Sequence, residues 1–167
     1  MASASPSAVR AQIARGATDP IYLLLGEDEV EKSALAHEFE ALVDEGLRAF
    51  NVERIQAGDW TSGDRLSSGV ASLIAAARTL PMMAPRRVIL VLRAEMLLAP
   101  KRESEAATLA LDAFESLIER PDKETALVLV ATTVDRRSRM YKLLARQATI
   151  VECGVLESVA DAERWVR

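Results

Sequence analysis

The chain has 167 residues, of which 50% are hydrophobic and 28% charged, so it is long enough to fold as one domain with a sizeable core. Its net charge of −4 argues against a domain that mainly wraps nucleic acid, because such binding depends on an excess of Lys and Arg. One cysteine and one histidine allow neither an internal disulfide nor a Cys/His zinc site, and no apolar run approaches the roughly 20 residues of a membrane span, so we expect a cytoplasmic protein without a membrane contact or a metal.

The N-terminal third alternates between polar, apolar and amphipathic segments. Met1–Ser7 is small and polar and is predicted to be a frayed tail, and Val9–Ala14 is predicted to be a short helix before a cluster of helix breakers. Ile21–Leu25 is uniformly apolar, which is typical of a strand buried on both faces. Apolar residues at helical spacing predict a helix over 28–44, and Phe50–Ile55 alternates like a short strand.

The same alternation continues to the C-terminus. Two prolines, Pro81 and Pro85, end the next helical stripe, because proline removes a backbone donor and clashes with the preceding turn. The predicted elements from there on are, in chain order, a helix with its stripe at Leu66–Ile74, a strand at Arg87–Leu92, a helix with its stripe at Ala107–Ile118, a strand at Ala126–Thr132, a basic helix capped by Asp135, and a strand at Thr149–Cys153.

Strands that alternate with helices, and that are too apolar to have a wet face, predict an α/β fold with a parallel sheet between two helical layers. The prediction is a three-layer domain with a five-stranded parallel sheet. We place a tail and short helix at 1–16, the α/β domain at 17–156, and at 157–167 the start of a helix inside which the chain stops.

The loop after the first predicted strand nearly matches a phosphate-binding motif. Residues 26–33 read GEDEVEKS and fit the pattern G-x-x-x-x-G-K-[ST] at Gly26, Lys32 and Ser33, but Glu31 replaces the second glycine. Carboxylates oppose phosphate at a helix N-terminus, where a working loop offers backbone N–H groups. Either this is a simple acidic helix start, which the helix dipole favours, or it derives from an ATP site; in neither case do we expect ATP to bind.

The magnesium-binding half of an ATPase site is also missing from the pattern. Such sites place an Asp-Glu pair after a later apolar strand, whereas Val88–Leu92 is followed by Arg93, whose charge would repel Mg²⁺. No Ser/His/Asp arrangement is apparent, and His37 lies within a predicted helix, where surface or packing roles are commonest. The sequence therefore predicts a protein that is not an enzyme and has no cofactor.

Three segments resemble the delta subunit of bacterial DNA polymerase III. They are Tyr22–Asp28 (YLLLGED), Ala77–Leu92 (ARTLPMMAPRRVILVL) and Asp135–Leu144 (DRRSRMYKLL), and the resemblance covers about residues 17 to 156. It implies a P-loop NTPase-like (AAA+) domain with a degenerate nucleotide site and no ATPase activity. It also implies that the first strand lies between the fourth and fifth, and that a helical lid domain begins near 157.

That resemblance implies clamp-loader partners: the sliding clamp, the other subunits of the loader, chiefly through domains beyond this chain, and primer-template DNA. Family members carry a hydrophobic wedge before the third strand that enters a pocket on the clamp. Here that position holds Leu80, Pro81, Met82 and Met83, with methionines in place of the usual leucine and aromatic residue, and Arg78 where some members have glutamine. Methionine still suits an irregular apolar pocket. Because Pro81 and Pro85 favour a stiff, exposed presentation, we expect both methionines to be at least partly exposed.

Two other readings of the chain stay open. An active P-loop ATPase with a variant loop is one, and Glu31 and Arg93 stand against it. The other is an assembly module that never touches the clamp, in which Met82 and Met83 would be buried in their own domain.

Basic residues gather on and before the last predicted helix. They are either a solvated face or candidates for contact with DNA or a neighbouring subunit. Among them, Arg146 lies where related ATPases carry an arginine finger, but Ala145 and Gln147 do not match the usual surroundings. Cys153, at the end of a buried strand, is predicted to be a packing residue. The basic residues are Arg136, Arg137, Arg139, Lys142 and Arg146.

Overall fold

A computed structural model describes residues 3–98 and 104–154, which form one parallel sheet flanked by helices. The strands are β1 (Ser3–Ala4), β2 (Ile21–Leu25), β3 (Val52–Gln56), β4 (Arg87–Leu92), β5 (Thr125–Ala131) and β6 (Thr149–Glu152). The helices are α1 (Pro6–Arg15), α2 (Glu29–Glu40), α3 (Arg48–Asn51), α4 (Gly63–Arg78), α5 (Glu95–Leu98), α6 (Glu105–Glu119) and α7 (Arg139–Gln147), and one 3₁₀ turn lies at Glu45–Leu47. Within these described ranges no helix is long and apolar enough to cross a membrane.

The sheet has the strand order β1-β6-β2-β5-β4-β3, with every neighbouring pair parallel. The first long strand, β2, therefore lies between β5 and β6, which confirms the order that the resemblance implied. The count of five strands is wrong, because residues 3–98 and 104–154 already form a sheet of six. The extra strand pairs Ser3 with Ile150 and Ala4 with Val151, so the prediction of a frayed tail is wrong as well. Two small residues at a sheet edge carry no alternation that a sequence pattern could reveal.

Alternate side chains of the central strands enter two separate cores. Ile21, Leu23 and Leu25 face the layer formed by α4, α6 and α7, whereas Tyr22 and Leu24 face α1 and α2. All five side chains of this strand are almost fully buried. Burial of each one contributes about 1.5–3 kcal/mol, which explains why the strand is apolar at every position. The expected three-layer arrangement is confirmed.

Side-chain caps set where the long helices begin. Ser5, Asp28, Ser62, Ser104 and Ser138 each accept a hydrogen bond from the backbone N–H three residues ahead, which satisfies one orphan donor of the first turn.

Several predicted boundaries differ from the structure. The cap predicted at Asp135 is wrong, because Ser138 caps α7, and Asp135 instead accepts from the Arg137 N–H. The predicted strand Ala126–Thr132 lies one residue earlier, at Thr125–Ala131. The first helix begins earlier than expected, because Ser5 caps it and Pro6 suits its first turn. Phe50 lies in the short helix α3 instead of a strand, and β3 starts only at Val52. The helix expected near the C-terminus and the lid domain at 157–167 lie outside the described residues.

Candidate functional site

Two loops that the sequence analysis identified lie at opposite ends of the strands. The phosphate-type loop follows the carboxyl end of β2, and the apolar loop precedes the amino end of β4. Because all the strands are parallel, these positions are at opposite ends of the domain. The two sites can therefore be described separately.

Gly26 opens the phosphate-type loop, and its conformation is required by packing. Its φ angle is +134°, and a Cβ atom there would come within 1.7 Å of the backbone oxygen of Cys153. Real Cβ atoms do not approach that closely, so a side chain would force the β2 and β6 ends apart. The glycine is thus explained without any phosphate.

The N-terminus of α2 carries its own anion. The Asp28 carboxylate accepts a hydrogen bond from the Glu31 N–H at 2.9 Å, which is a donor that a phosphate-binding loop would offer to its ligand. The Glu31 side chain turns away and pairs with Arg10 of α1 at 2.8 Å. Arg10 also reaches Glu38 at 2.9 Å, and its hydrogen bond to Glu31 is the main reason its pKa is raised. The replaced glycine position therefore joins α2 to α1.

Lys32 is buried and fully engaged, with only 2% of its side chain exposed. Its Nζ donates to Glu29 Oε1 at 2.8 Å, and to the Ala131 carbonyl and Thr132 Oγ1 at 3.3 Å each. The hydrogen bond from Lys32 is the largest cause of the lowered pKa of Glu29. An ammonium in water-poor surroundings needs such partners, and here the protein supplies all of them.

A cavity of about 420 Å³ adjoins Lys32 at the carboxyl ends of β3, β4 and β5. Arg93 lines it at the position where an ATPase would carry its magnesium carboxylate, and has a left-handed backbone with φ of 53°. Glu95 accepts a hydrogen bond from the Thr132 N–H, and Arg54 pairs with Glu40. In the described part of the chain, no group of three or more His, Cys, Asp or Glu residues is placed to hold a metal ion.

The apolar loop between α4 and β4 presents large hydrophobic side chains to solvent. Leu80 is 73% exposed, Met82 54% and Met83 86%. The expected exposure of the two methionines is therefore confirmed. The other large exposed hydrophobic residues of the described ranges are Val30, Phe50, Met96 and Leu109, and they belong to four different helices. Only this loop gathers three within four consecutive positions.

The ends of the apolar loop are held by arginines. Arg78, the last residue of α4, donates to the Arg120 carbonyl at 2.7 Å and pairs with Asp122 at 3.2 Å. At the other end, Arg86 donates to the Thr18 hydroxyl, before the start of β2. The loop is therefore fixed to neighbouring connections on both sides of its exposed tip.

Asn51 holds the middle of this loop, and the sequence analysis missed it. Its Oδ1 accepts from the Met82 N–H at 2.7 Å, and its Nδ2 donates to the Met82 carbonyl at 2.9 Å. A further bond from Nδ2 reaches the Leu47 carbonyl at 2.9 Å. The side chain is fully buried, yet 31 residues separate it from Met82, so no local pattern could have connected them. The only available signal was a polar residue at the start of a strand.

The basic residues around α7 are mostly paired with carboxylates. Arg136 reaches Glu152 at 2.6 Å and lies 5.5 Å from the Tyr141 ring, and Arg139 reaches Glu115 at 3.0 Å. Arg137 pairs with Asp135 at 3.4 Å. Such pairing lowers the local positive potential, whereas Lys142 and Arg146 are exposed on the same helix.

Cys153 and His37 occupy the ordinary positions that were expected. Cys153 is buried beside β2, and burial raises the pKa of its thiol to about 11, so it is protonated at neutral pH. The prediction of a packing residue is confirmed. His37 is exposed in the last turn of α2.

Three solved structures illustrate the similarity of this fold to known proteins. The DNA clamp loader delta protein of Bacillus subtilis is 23% identical, with a TM-score of 0.73 over 89% of this chain and 42% of that one. A DNA polymerase III gamma subunit-related protein of Thermotoga maritima is 18% identical, with a TM-score of 0.61 over 91% and 46%. The AAA domain of FIGL-1, solved with ADP, is 17% identical, with a TM-score of 0.53 over 96% and 56%. These likenesses support an AAA+-like fold.

The chain spans less than half the length of the Bacillus subtilis and Thermotoga maritima proteins. No curated protein matches the sequence. The family model described as DNA polymerase III, delta subunit, matches residues 22–154, which include both loops described above. On this match the chain belongs to the family of DNA polymerase III delta subunits.

Proposed function

We propose that this chain binds the sliding clamp through Leu80, Pro81, Met82 and Met83 and helps to open it for loading onto primed DNA. The observation that carries the proposal is an apolar loop tip, exposed at three side chains, whose backbone is held by the protein itself. A preformed apolar projection is what a pocket on a partner can bind at low entropic cost.

These exposed side chains do not contribute the free energy of burial that apolar side chains usually contribute to folding. A buried methionine or leucine contributes about 1.5–3 kcal/mol, and this loop gives up that gain on folding. Insertion into an apolar pocket recovers it on binding, and methionine adapts to a pocket of irregular shape. Clamp opening follows if the bound form of the clamp is the open one, because a ligand shifts an equilibrium only by its differential affinity for the two states.

The phosphate-type loop takes no nucleotide in this proposal and the domain is not an enzyme. Asp28 already accepts from the Glu31 N–H, and Glu29 already compensates Lys32. A triphosphate would have to displace these carboxylates or lie beside them, and each carboxylate–phosphate pair at a few Å costs several kcal/mol at an effective dielectric of about 20. These contacts favour a degenerate site over an active ATPase.

The remaining partners would be those of a clamp loader. We infer assembly with its other subunits and proximity to primer-template DNA. Lys142 and Arg146 are exposed on α7 and could reach a phosphate, whereas Arg136, Arg137 and Arg139 would first have to leave their carboxylates.

Removal of both methionine side chains tests the clamp contact. We expect Met82→Ala with Met83→Ala to weaken binding to the cognate clamp by about thirtyfold, or roughly 2 kcal/mol, in a titration followed by calorimetry. The free energy of unfolding should hardly change, because both side chains are exposed. Matched controls are Val30→Ala and Leu109→Ala, which remove exposed hydrophobic side chains on α2 and α6. Intact binding together with a large loss of stability would refute the proposal.

A nucleotide titration separates the proposal from an active ATPase. We expect no saturable heat or protection from proteolysis when ATP and Mg²⁺ are added up to millimolar concentration. A saturable isotherm in the micromolar range would show that the carboxylates of the loop move aside, and would favour the alternative.

A further inference from the structure

Asn51 makes a contact that neither the family assignment nor the exposed loop accounts for. We propose that Asn51 is the positioning residue of the clamp-binding loop: its amide fixes the Met82 backbone, and so holds Met82 and Met83 in the shape that the clamp receives. This inference rests on the proposed clamp binding, and it adds a residue that does not itself touch the clamp.

The contact is a reciprocal pair of hydrogen bonds. Met82 N–H donates to Asn51 Oδ1 at 2.7 Å, and Asn51 Nδ2 donates to the Met82 carbonyl at 2.9 Å. A side-chain amide is the neutral group that can both accept and donate in this way, because its oxygen and its NH₂ lie side by side. Both polar groups of one loop residue are thereby satisfied from inside the protein. Water is not needed there, and the side chain of Met82 is left to point outward.

Asn51 is itself anchored, so it can transmit rigidity to the loop. The side chain is fully buried, and its Nδ2 also donates to the Leu47 carbonyl at 2.9 Å. The preceding carbonyl, of Phe50, accepts from Arg87 Nη1 at 2.7 Å, and Arg87 belongs to β4. Helix α3 is thus tied to the sheet, and the loop is tied to α3.

The fixed position of Met82 also bears on Met83. Met83 has a left-handed backbone, with φ of 59°, which costs a residue with a side chain about 1–2 kcal/mol. Such a conformation persists only where the surroundings determine it. In our proposal the two hydrogen bonds between Asn51 and Met82 impose this conformation on the next residue, Met83. Without them the loop would occupy several shapes, and the cost of ordering it would fall on clamp binding.

The test combines amide exchange with clamp binding, and uses the full 167-residue chain. Hydrogen exchange followed by NMR should show the Met82 N–H protected in the unbound wild-type protein, and unprotected in Asn51→Ala. Clamp affinity of Asn51→Ala should fall about tenfold or more at a temperature where both proteins are folded, since an ordered loop has become a disordered one.

The matched control is Ser138→Ala. Ser138 caps α7 beyond the carboxyl end of β5, where its Oγ accepts from the Tyr141 N–H at 3.1 Å, at the end of the sheet opposite the loop. It should lose stability while keeping both Met82 protection and clamp affinity. A role for Asn51 in stability alone would give the two variants the same clamp affinity.

The outcomes separate the two proposals. Rapid exchange of the Met82 N–H in the wild-type protein overturns the positioning role, even if Asn51→Ala does not fold. So does lost protection in Asn51→Ala with clamp affinity unchanged, when the double methionine variant still weakens binding. If the double methionine variant binds as tightly as wild type, the proposed function fails first, and a protected Met82 N–H would then show that the loop is held for another purpose.

Discussion

The phosphate-type loop and the apolar loop differ in which of their groups the protein itself satisfies. In the first, the groups that a ligand would need are taken by the protein's own side chains: Asp28 accepts from the Glu31 N–H, and Glu29 accepts from Lys32. In the second, Asn51 satisfies the Met82 backbone, while Met82 and Met83 are 54% and 86% exposed.

This contrast gives a physical criterion for which loop awaits a partner. A buried polar group without a hydrogen bond costs about 1–3 kcal/mol. The polar groups of the first loop already have partners within the protein, so a ligand would add little favourable free energy there. Exposed apolar side chains on a fixed backbone would gain free energy if a partner buried them, because they are not buried in the folded protein. By this criterion the phosphate-type loop serves the fold, whereas the apolar loop keeps the exposed surface that the proposed interface would bury.

The largest expected effect concerns Gly26. We expect Gly26→Ala to lower the free energy of unfolding by about 3 kcal/mol or more, because the new Cβ would overlap the Cys153 backbone and the residue would keep a φ unfavourable to alanine. Chemical denaturation measures this loss. Gly46→Ala is the control, since nothing lies within 4 Å of a Cβ there. A small effect at Gly26 would mean that packing does not explain why the motif's first glycine is present.

A smaller effect is expected for the lysine of the motif. Lys32→Met should lower the free energy of unfolding by about 1–2 kcal/mol, since the Ala131 carbonyl and Thr132 hydroxyl lose a donor while a buried charge is removed. Glu29 is largely exposed and can return to water. Clamp affinity should not change, because Lys32 lies at the carboxyl ends of the strands and the apolar loop lies at the amino end of β4.

Weaker clamp binding by a folded Lys32→Met variant would contradict the view that the phosphate-type loop has no part in clamp binding. That outcome would show that the phosphate-type loop and the apolar loop, at opposite ends of the strands, are energetically coupled. Thermal unfolding and clamp titration on the same sample are sufficient to decide it.

The sequence predicted the elements with strong periodicity and missed those fixed by long-range contacts. Ile21–Leu25 and Arg87–Leu92 matched the observed strands at both ends, because uniformly apolar runs report burial on two faces. The pairing of Ser3–Ala4 with β6 could not be read, since it depends on a partner about 150 residues away and not on side chains. The polar Asn51 stood next to a strand and gave no sign of the loop that it holds.

The candidate sites divide in the same way. The motif showed that the phosphate-type loop was unusual, but the replacement at Glu31 did not reveal that its side chain bridges to Arg10. Similarly, the prolines predicted that the methionines would be presented to solvent, whereas the left-handed backbone at Met83 is visible only in three dimensions. Local chemistry was predictable, and the partners of each group were not.

The smallest expected effect separates backbone shape from side-chain contact at Met83. Met83→Ala and Met83→Gly both remove the exposed thioether, so both should weaken clamp binding. They differ in the cost of the left-handed backbone, at φ of 59°, which glycine adopts freely. We expect Met83→Gly to be more stable than Met83→Ala by about 0.5–1 kcal/mol in chemical denaturation, as long as Asn51 keeps the loop in place. Equal stabilities would show that the backbone at this position relaxes when the side chain is lost, and that the loop is less firmly held than the bonds to Met82 imply. If glycine is the more stable and yet binds the clamp more weakly than alanine, the clamp requires the loop to be stiff as well as apolar.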